Sequence, residues 1–208
     1  MWKLTTIFII NHHFLMAKLT FLPWVGDAYA RAYYGKRVMV LGESHYCSAE
    51  DVRPTMTSDV LRTVFDPEAE FEGYMNTFTK FARALDGSDV SRTEQERVWQ
   101  RVMFYNFVQE PMSYARVAPT TAQFRASDDA FFAVLEKYRP EKIIVWGGRL
   151  YFNLPRQGEQ GADVKECETW IYRLKDGTPV HLLPVTHPSA GFSPAEWHEV
   201  IAEFLKPR

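Results

Sequence analysis

The stretch "ASDDAFFAVLEKYRPEKIIVWGGRLY", residues 126–151, runs a helical pattern into a proline and then, almost at once, into an unbroken apolar run ended by two glycines. Ser127 or Asp128 is placed to cap a helix through Tyr138, Pro140 ends it, and Lys142 to Trp146 read as a strand buried on both faces. A helix that delivers the chain to such a strand is the crossover unit of parallel sheets, whose neighbouring strands cannot be joined by a tight hairpin. The expected fold class is therefore α/β. Val38 to Leu41 form a second doubly buried strand, ended by Gly42. Gly147-Gly148 is not followed by the Lys-Ser/Thr of a nucleotide-binding loop and reads as a tight turn into the next helix.

The remaining elements follow the same grammar. Thr57–Phe65 and Pro67–Leu85 carry helical spacing, with Asp66 as the expected N-cap of the second, Pro67 in its first turn and Gly87 at its end. Ser91 and Glu94 make a capping-box pattern for another helix. Met103 to Val108, with Asn106 inside it, reads as a strand or buried extended segment. Thr169–Leu174 and Pro179–Leu183 flank Asp176-Gly177, a hairpin or turn signal, and Ser193-Pro194 starts a final helix, Ala195–Leu205. No repeat or linker interrupts the pattern, so residues 1–208 read as a single domain.

The beginning of the chain, "MWKLTTIFIINHHFLMAK", resembles a signal peptide only superficially. His12 and His13 interrupt its apolar run, which falls well short of the ~20 residues of a membrane span. Residues 1–15 are expected to be a peripheral extension, Met16 a possible natural start, and His12-His13 an exposed pair rather than metal ligands. Trp24 and Tyr33-Tyr34 are expected to pack the following segment onto the sheet. The net charge of -2 announces no global field for polyanions, so any such site must be local. Two cysteines without a CxxC spacing build neither a zinc site nor a four-cysteine cluster from thiolates. A reduced, cytoplasmic protein without metal or cofactor is the expectation.

Function is suggested by two loops. "VMVLGESHYC" places Glu43, Ser44, His45 and Tyr46 directly after a strand, and "PVTHPSAGFSP", residues 184–194, again places polar residues between a strand and a helix. In open α/β sheets the loops at the C-terminal strand ends line the ligand crevice. The pair resembles the uracil-DNA glycosylase superfamily, whose first motif, in forms such as GQDPYH or GEAPG, follows its first core strand and whose second, HPS, lies near the end. Here the two read "GESHYC" and "HPSAG", with "FYNFVQEP" where several branches carry an asparagine at a strand end. The resemblance covers about Val38 to the C-terminus in element order, and its motifs are short. It implies a three-layer α/β/α architecture around a short, mostly parallel sheet.

The resemblance also implies roles. His187 matches the histidine that donates to the base as negative charge develops on it, and Tyr46 the tyrosine that screens out bulky bases. Glu43 matches the acidic second position of GEAPG, whereas Ser44 stands where GQDPYH has its water-activating aspartate and His45 replaces a proline. Glu43 and His187 are thus the candidate catalytic residues, and Gly42, Ser44, His45, Tyr46, Asn106, Ser189 and Phe192 the candidate binding residues. The chemistry fits, because cleaving an N-glycosidic bond needs a carboxylate near the cationic sugar and a hydrogen-bond donor at the departing base. Asn106 would read a pyrimidine edge, Phe104 or Tyr105 stack on it, and Phe192 wedge into the vacated base stack. The same aromatics equally suit a core. Arg116, Arg125 and Arg149 could contact phosphates, with none singled out.

The expected partner is DNA or a nucleobase or nucleotide ligand, bound by a monomer away from membranes. Two alternatives stay open. One is a non-catalytic nucleotide or nucleic-acid binding module on the same fold. The other is a hydrolase in which Glu43 and His45 activate water or a metal, since "LGESH" is similar to the GE-x-x-H signature of erythromycin-esterase-like enzymes. A serine hydrolase fits least, because Ser44 lies outside any G-x-S-x-G turn.

Overall fold

The two apolar runs read as buried strands lie side by side in the middle of one sheet in the computed structural model, which describes residues 19–114 and 117–207. The strands are β1 (Trp24–Val25), β2 (Val38–Gly42), β3 (Met103–Asn106), β4 (Lys142–Trp146), β5 (Glu159–Gln160), β6 (Trp170–Arg173) and β7 (Pro179–Val185), in the order β1-β3-β2-β4-β7-β6-β5. The four central strands are parallel: β2 pairs with β3 and β4, and β4 pairs with β7. β1 adds antiparallel at one edge, and β6 and β5 add antiparallel at the other. Every residue of β2, β3 and β4 is buried, as expected for parallel strands covered on both faces.

Side chains alternate along these strands and feed two separate cores. Val38, Val40, Phe104, Ile144, Trp146, Leu183 and Val185 face α1 (Met56–Phe65), α2 (Met75–Asp86), α3 (Glu96–Trp99) and, late in the chain, α7 (Pro194–Leu205). Met39, Leu41, Met103, Tyr105, Ile143, Val145 and Leu182 face α4 (Thr121–Ala126), α5 (Asp128–Tyr138) and α6 (Gly148–Asn153). The result is helix, sheet, helix. On the first side the rings of Phe78, Phe81, Trp99, Phe104 and Trp146 touch one another, with centroids 5.1–6.0 Å apart and mostly edge-to-face.

Several expected boundaries shift for local reasons. Asp66 ends α1 rather than opening a helix, and its carboxylate takes the Glu68 N–H in a turn, so the next helix begins only at Met75. Ser91 and Glu94 do form the reciprocal capping contacts, yet only Glu96–Trp99 becomes α-helical. Ser127 makes no side-chain cap on α5; its hydroxyl donates to the Gln123 carbonyl and accepts the Gln109 N–H. β3 ends at Asn106, although Phe107 and Val108 still donate to the Gly42 and Glu43 carbonyls. Trp24 lies in β1 and Tyr33 is buried, whereas Tyr34 is largely exposed. The hairpin at Asp176-Gly177 and the Ser193 cap on α7 are present, the latter accepting the Glu196 N–H. Residues 1–15, with His12, His13 and the possible start at Met16, lie outside the described residues, as does Arg116.

Trp99 is 1% exposed and touches four other rings. Trp99→Ala is expected to cost about 3–5 kcal/mol in urea unfolding; a loss below about 1 kcal/mol would show that the aromatic cluster closes over the gap.

Candidate functional site

Because β2, β3, β4 and β7 run the same way, the loops after them open on one edge of the sheet. The chain leaves β2 to build β3 on one side and returns to build β4 on the other, so the crevice of a reversing strand order lies between the ends of β2 and β4. Three polar groups meet there. Glu43 follows the last residue of β2, Arg149 follows β4 in the first turn of α6, and His187 follows β7.

Arg149 binds Glu43 in a fork, Nε to Oε2 at 2.8 Å and Nη2 to Oε1 at 2.6 Å. The Glu43 side chain is 10% exposed and that of Arg149 52%, so the carboxylate is enclosed while the guanidinium reaches water. Both carboxylate oxygens are thus occupied. Tyr46 lies on the same rim, half exposed and close enough for its hydroxyl to act on Arg149.

His187 stands edge-on to Trp146 with ring centroids 5.7 Å apart, and its Cβ lies against Gly147. Gly147 has φ of 90°, a conformation that side chains rarely adopt, which turns the chain sharply from β4 into α6 beneath the imidazole. The Ser189 backbone N–H donates to His187 Nδ1 at 3.1 Å, and the Ser189 hydroxyl lies 2.8 Å from the same nitrogen. A nitrogen that accepts a backbone N–H carries no proton of its own in the neutral ring, so the proton sits on Nε2. Burial first, and then the charge of Arg149, keep His187 below its ordinary pKa, with Glu43 opposing.

Asn106 and His45 lie behind this edge, at and just past the paired ends of β3 and β2. Both are buried, and Asn106 Nδ2 lies 3.1 Å from His45 Nε2, which is also 2.9 Å from the Thr57 hydroxyl at the start of α1. The ring of Phe21 covers His45 at 4.7 Å, and burial takes its pKa down to about 4. Gly42 is obligatory here, since a Cβ at this position would come within 2.2 Å of Asn106 Oδ1 and 3.0 Å of the Phe104 ring.

The other candidates divide. Ser44 Oγ is buried and has no hydrogen-bond partner among the described residues. Phe192 is 6% exposed and stacks on Trp197, so it is a core side chain rather than an exposed wedge. Phe104 and Tyr105 are buried on opposite faces of the sheet, so the two form no common platform; only Phe104 shares the crevice face with Trp146. Glu43 and His45 bond to different partners, Glu43 to Arg149 and His45 to Asn106 and Thr57. Arg125 pairs with Asp128 away from this edge. Sequence reasoning did not single out Arg149; its place just past the Gly-Gly turn after a buried strand was the available signal. Phe152, one helical turn beyond Gly148 in α6, is exposed.

Among the described residues no cluster of three or more His, Cys, Asp or Glu is arranged to hold a metal ion, and no helix is long and apolar enough to cross a membrane. Comparison with models of protein families and with curated proteins returned no match for this chain.

Two outcomes follow from these environments. A folded-state pKa of about 4 against the ordinary 6.5 means that the unfolded chain binds the His45 proton more readily. The His45 contribution is therefore complete above pH 6.5 and is lost as pH falls towards 4, in total about 3 kcal/mol. His45→Gln should flatten that part of a urea-unfolding profile; an unchanged slope would assign the acid sensitivity to other groups. For His187, NMR titration should find a raised pKa in Arg149→Gln and a lowered one in Glu43→Gln. Equal values in both variants and the parent would mean that neither charge reaches the ring.

Proposed function

We propose that the protein is a uracil-DNA glycosylase-like hydrolase that cleaves the N-glycosidic bond of uracil or another deaminated base in DNA. The observation that carries this reading is the contact of the Ser189 N–H with His187 Nδ1: it occupies that nitrogen and so leaves Nε2–H as a neutral, oriented donor on the edge that also holds Glu43 and Asn106. The parallel four-strand core and the placement of both motif loops at its C-terminal edge are in keeping with it.

The chemistry asks for little more. As the bond from C1′ to the base nitrogen breaks, both electrons leave with the base, and negative charge gathers on its carbonyl oxygen. The His187 Nε2–H donates to that oxygen, and a neutral imidazole donates without surrendering its proton. The carboxylate of Glu43 faces the cationic sugar, which water attacks at C1′; the proton that the water loses is taken up by the departed base anion, leaving an abasic sugar and the neutral free base. Arg149 holds that carboxylate in place but offsets part of its charge. The base must leave its stack to enter such a crevice.

A non-catalytic base- or nucleotide-binding module is the second reading. It is favoured by Ser44 in the position of the water-activating aspartate and by the engagement of both Glu43 oxygens with Arg149. Base release from labelled single- and double-stranded DNA carrying uracil, hypoxanthine or xanthine separates the two. Release that falls by about 100-fold or more in Glu43→Gln and in His187→Ala is expected of the glycosylase. Binding of the same DNA without release by folded protein would leave the binding module.

A further inference from the structure

We propose that His45 is a positioning residue that fixes the orientation of the Asn106 amide, turning Nδ2 inward and presenting Oδ1 as an acceptor at the base of the crevice. The ligand selected would be a base whose edge carries an N–H. The choice of ligand rests on the base-binding reading above; the geometry does not.

An asparagine amide has two faces of opposite hydrogen-bonding sense, and free rotation would present either one. Here the inner face is specified. His45 Nε2 lies 3.1 Å from Nδ2 and 2.9 Å from the Thr57 hydroxyl, and His45 is 5% exposed, so no solvent competes for that nitrogen. If Nε2 is unprotonated, it accepts from the amide and the imidazole proton sits on Nδ1. If Nε2 carried the proton, it would donate to Thr57 and the amide would have to turn its oxygen inward. The tautomer of His45 and the orientation of Asn106 are one choice.

The backbone around Asn106 is fixed from behind. Gln109 Nε2 donates to the Asn106 carbonyl at 3.1 Å, while Gln109 Oε1 accepts the Thr20 and Phe21 N–H groups at 3.0 Å. Phe21 in turn lies over the His45 ring. A buried network whose members each restrain the next holds a single arrangement far better than an isolated pair. In that arrangement Oδ1 lies over the bare Cα of Gly42 beside the Phe104 ring, at the paired ends of β2 and β3. Burial keeps the imidazole uncharged at neutral pH, so one of its two nitrogens is free to accept, and the amide contact makes that nitrogen Nε2 in the arrangement proposed.

Two measurements on the full chain test this. Long-range ¹H–¹⁵N spectra at pH 7 should show the His45 proton on Nδ1; a proton on Nε2 overturns the proposal. NMR titration with uracil and 3-methyluracil, which lacks the N–H between the two carbonyls, should show uracil binding at least about tenfold more tightly. His45→Gln keeps an acceptor and should retain the preference, while His45→Leu should bring the two affinities within about twofold. Preference undiminished in His45→Leu, with a native-like spectrum, overturns the proposal. Failure of both bases to bind the parent, with Nδ1–H observed, supports the positioning geometry and tells against the base-binding reading.

Discussion

The parallel pairing of β2 between β3 and β4 is the constraint on which the site depends. Strands buried on both faces have no exposed side on which to place a polar residue, so Val38 to Leu41 and Ile143 to Val145 are wholly apolar and fully buried. Polar chemistry is confined to the strand ends. Register then decides which ends meet: Gly42 lies opposite Asn106, Leu41 opposite Val145, and Trp146 opposite Val185. A slip of one residue would exchange the two faces of a strand and take Asn106 away from His45.

Among the described residues, the ion pair of the edge so formed is Glu43 with Arg149, closed on the carboxylate side and open on the guanidinium side, so its net contribution to stability is modest while its effect on neighbouring titrations is direct. The two histidines of the motifs are both held neutral, by burial in each case. Their surroundings differ in what reaches the ring: a backbone N–H fixes Nδ1 of His187, whereas two side chains converge on Nε2 of His45. One imidazole stands in the loop after β7 and the other behind the loop after β2.

The legible part of the fold was the part written in continuous apolar runs and turn residues. Lys142–Trp146, the Asp176-Gly177 hairpin and the Pro194 helix start need only local chemistry, and they stand where the residues indicate. Asp66-Pro67 misled because an aspartate before proline serves a turn as well as a cap, and "PEAEFEGY" has no apolar stripe with which to pay for a helix. At the site, Glu43, Asn106 and His187 could be found from their place after buried strands. Arg149 carries only its place past the Gly-Gly turn as a signal, because its partner is more than a hundred residues away in sequence. Phe192 shows the reverse limit: an aromatic in a glycine-containing loop reads as exposed until a ring such as Trp197 is seen to cover it.

The strand order also governs how the protein must assemble. No two neighbours among β3, β2, β4 and β7 are joined by a hairpin, so each contact in the central sheet closes a long loop before any of its burial is gained. The cost of ordering the chain is met early and its return comes late, the signature of slow folding and of intermediates with unpaired strand edges. His187 lies beyond the last of these strands, so an intermediate that has joined β2, β3 and β4 would hold Glu43, Arg149 and Asn106 together and still lack the imidazole that stands beside the Glu43–Arg149 pair.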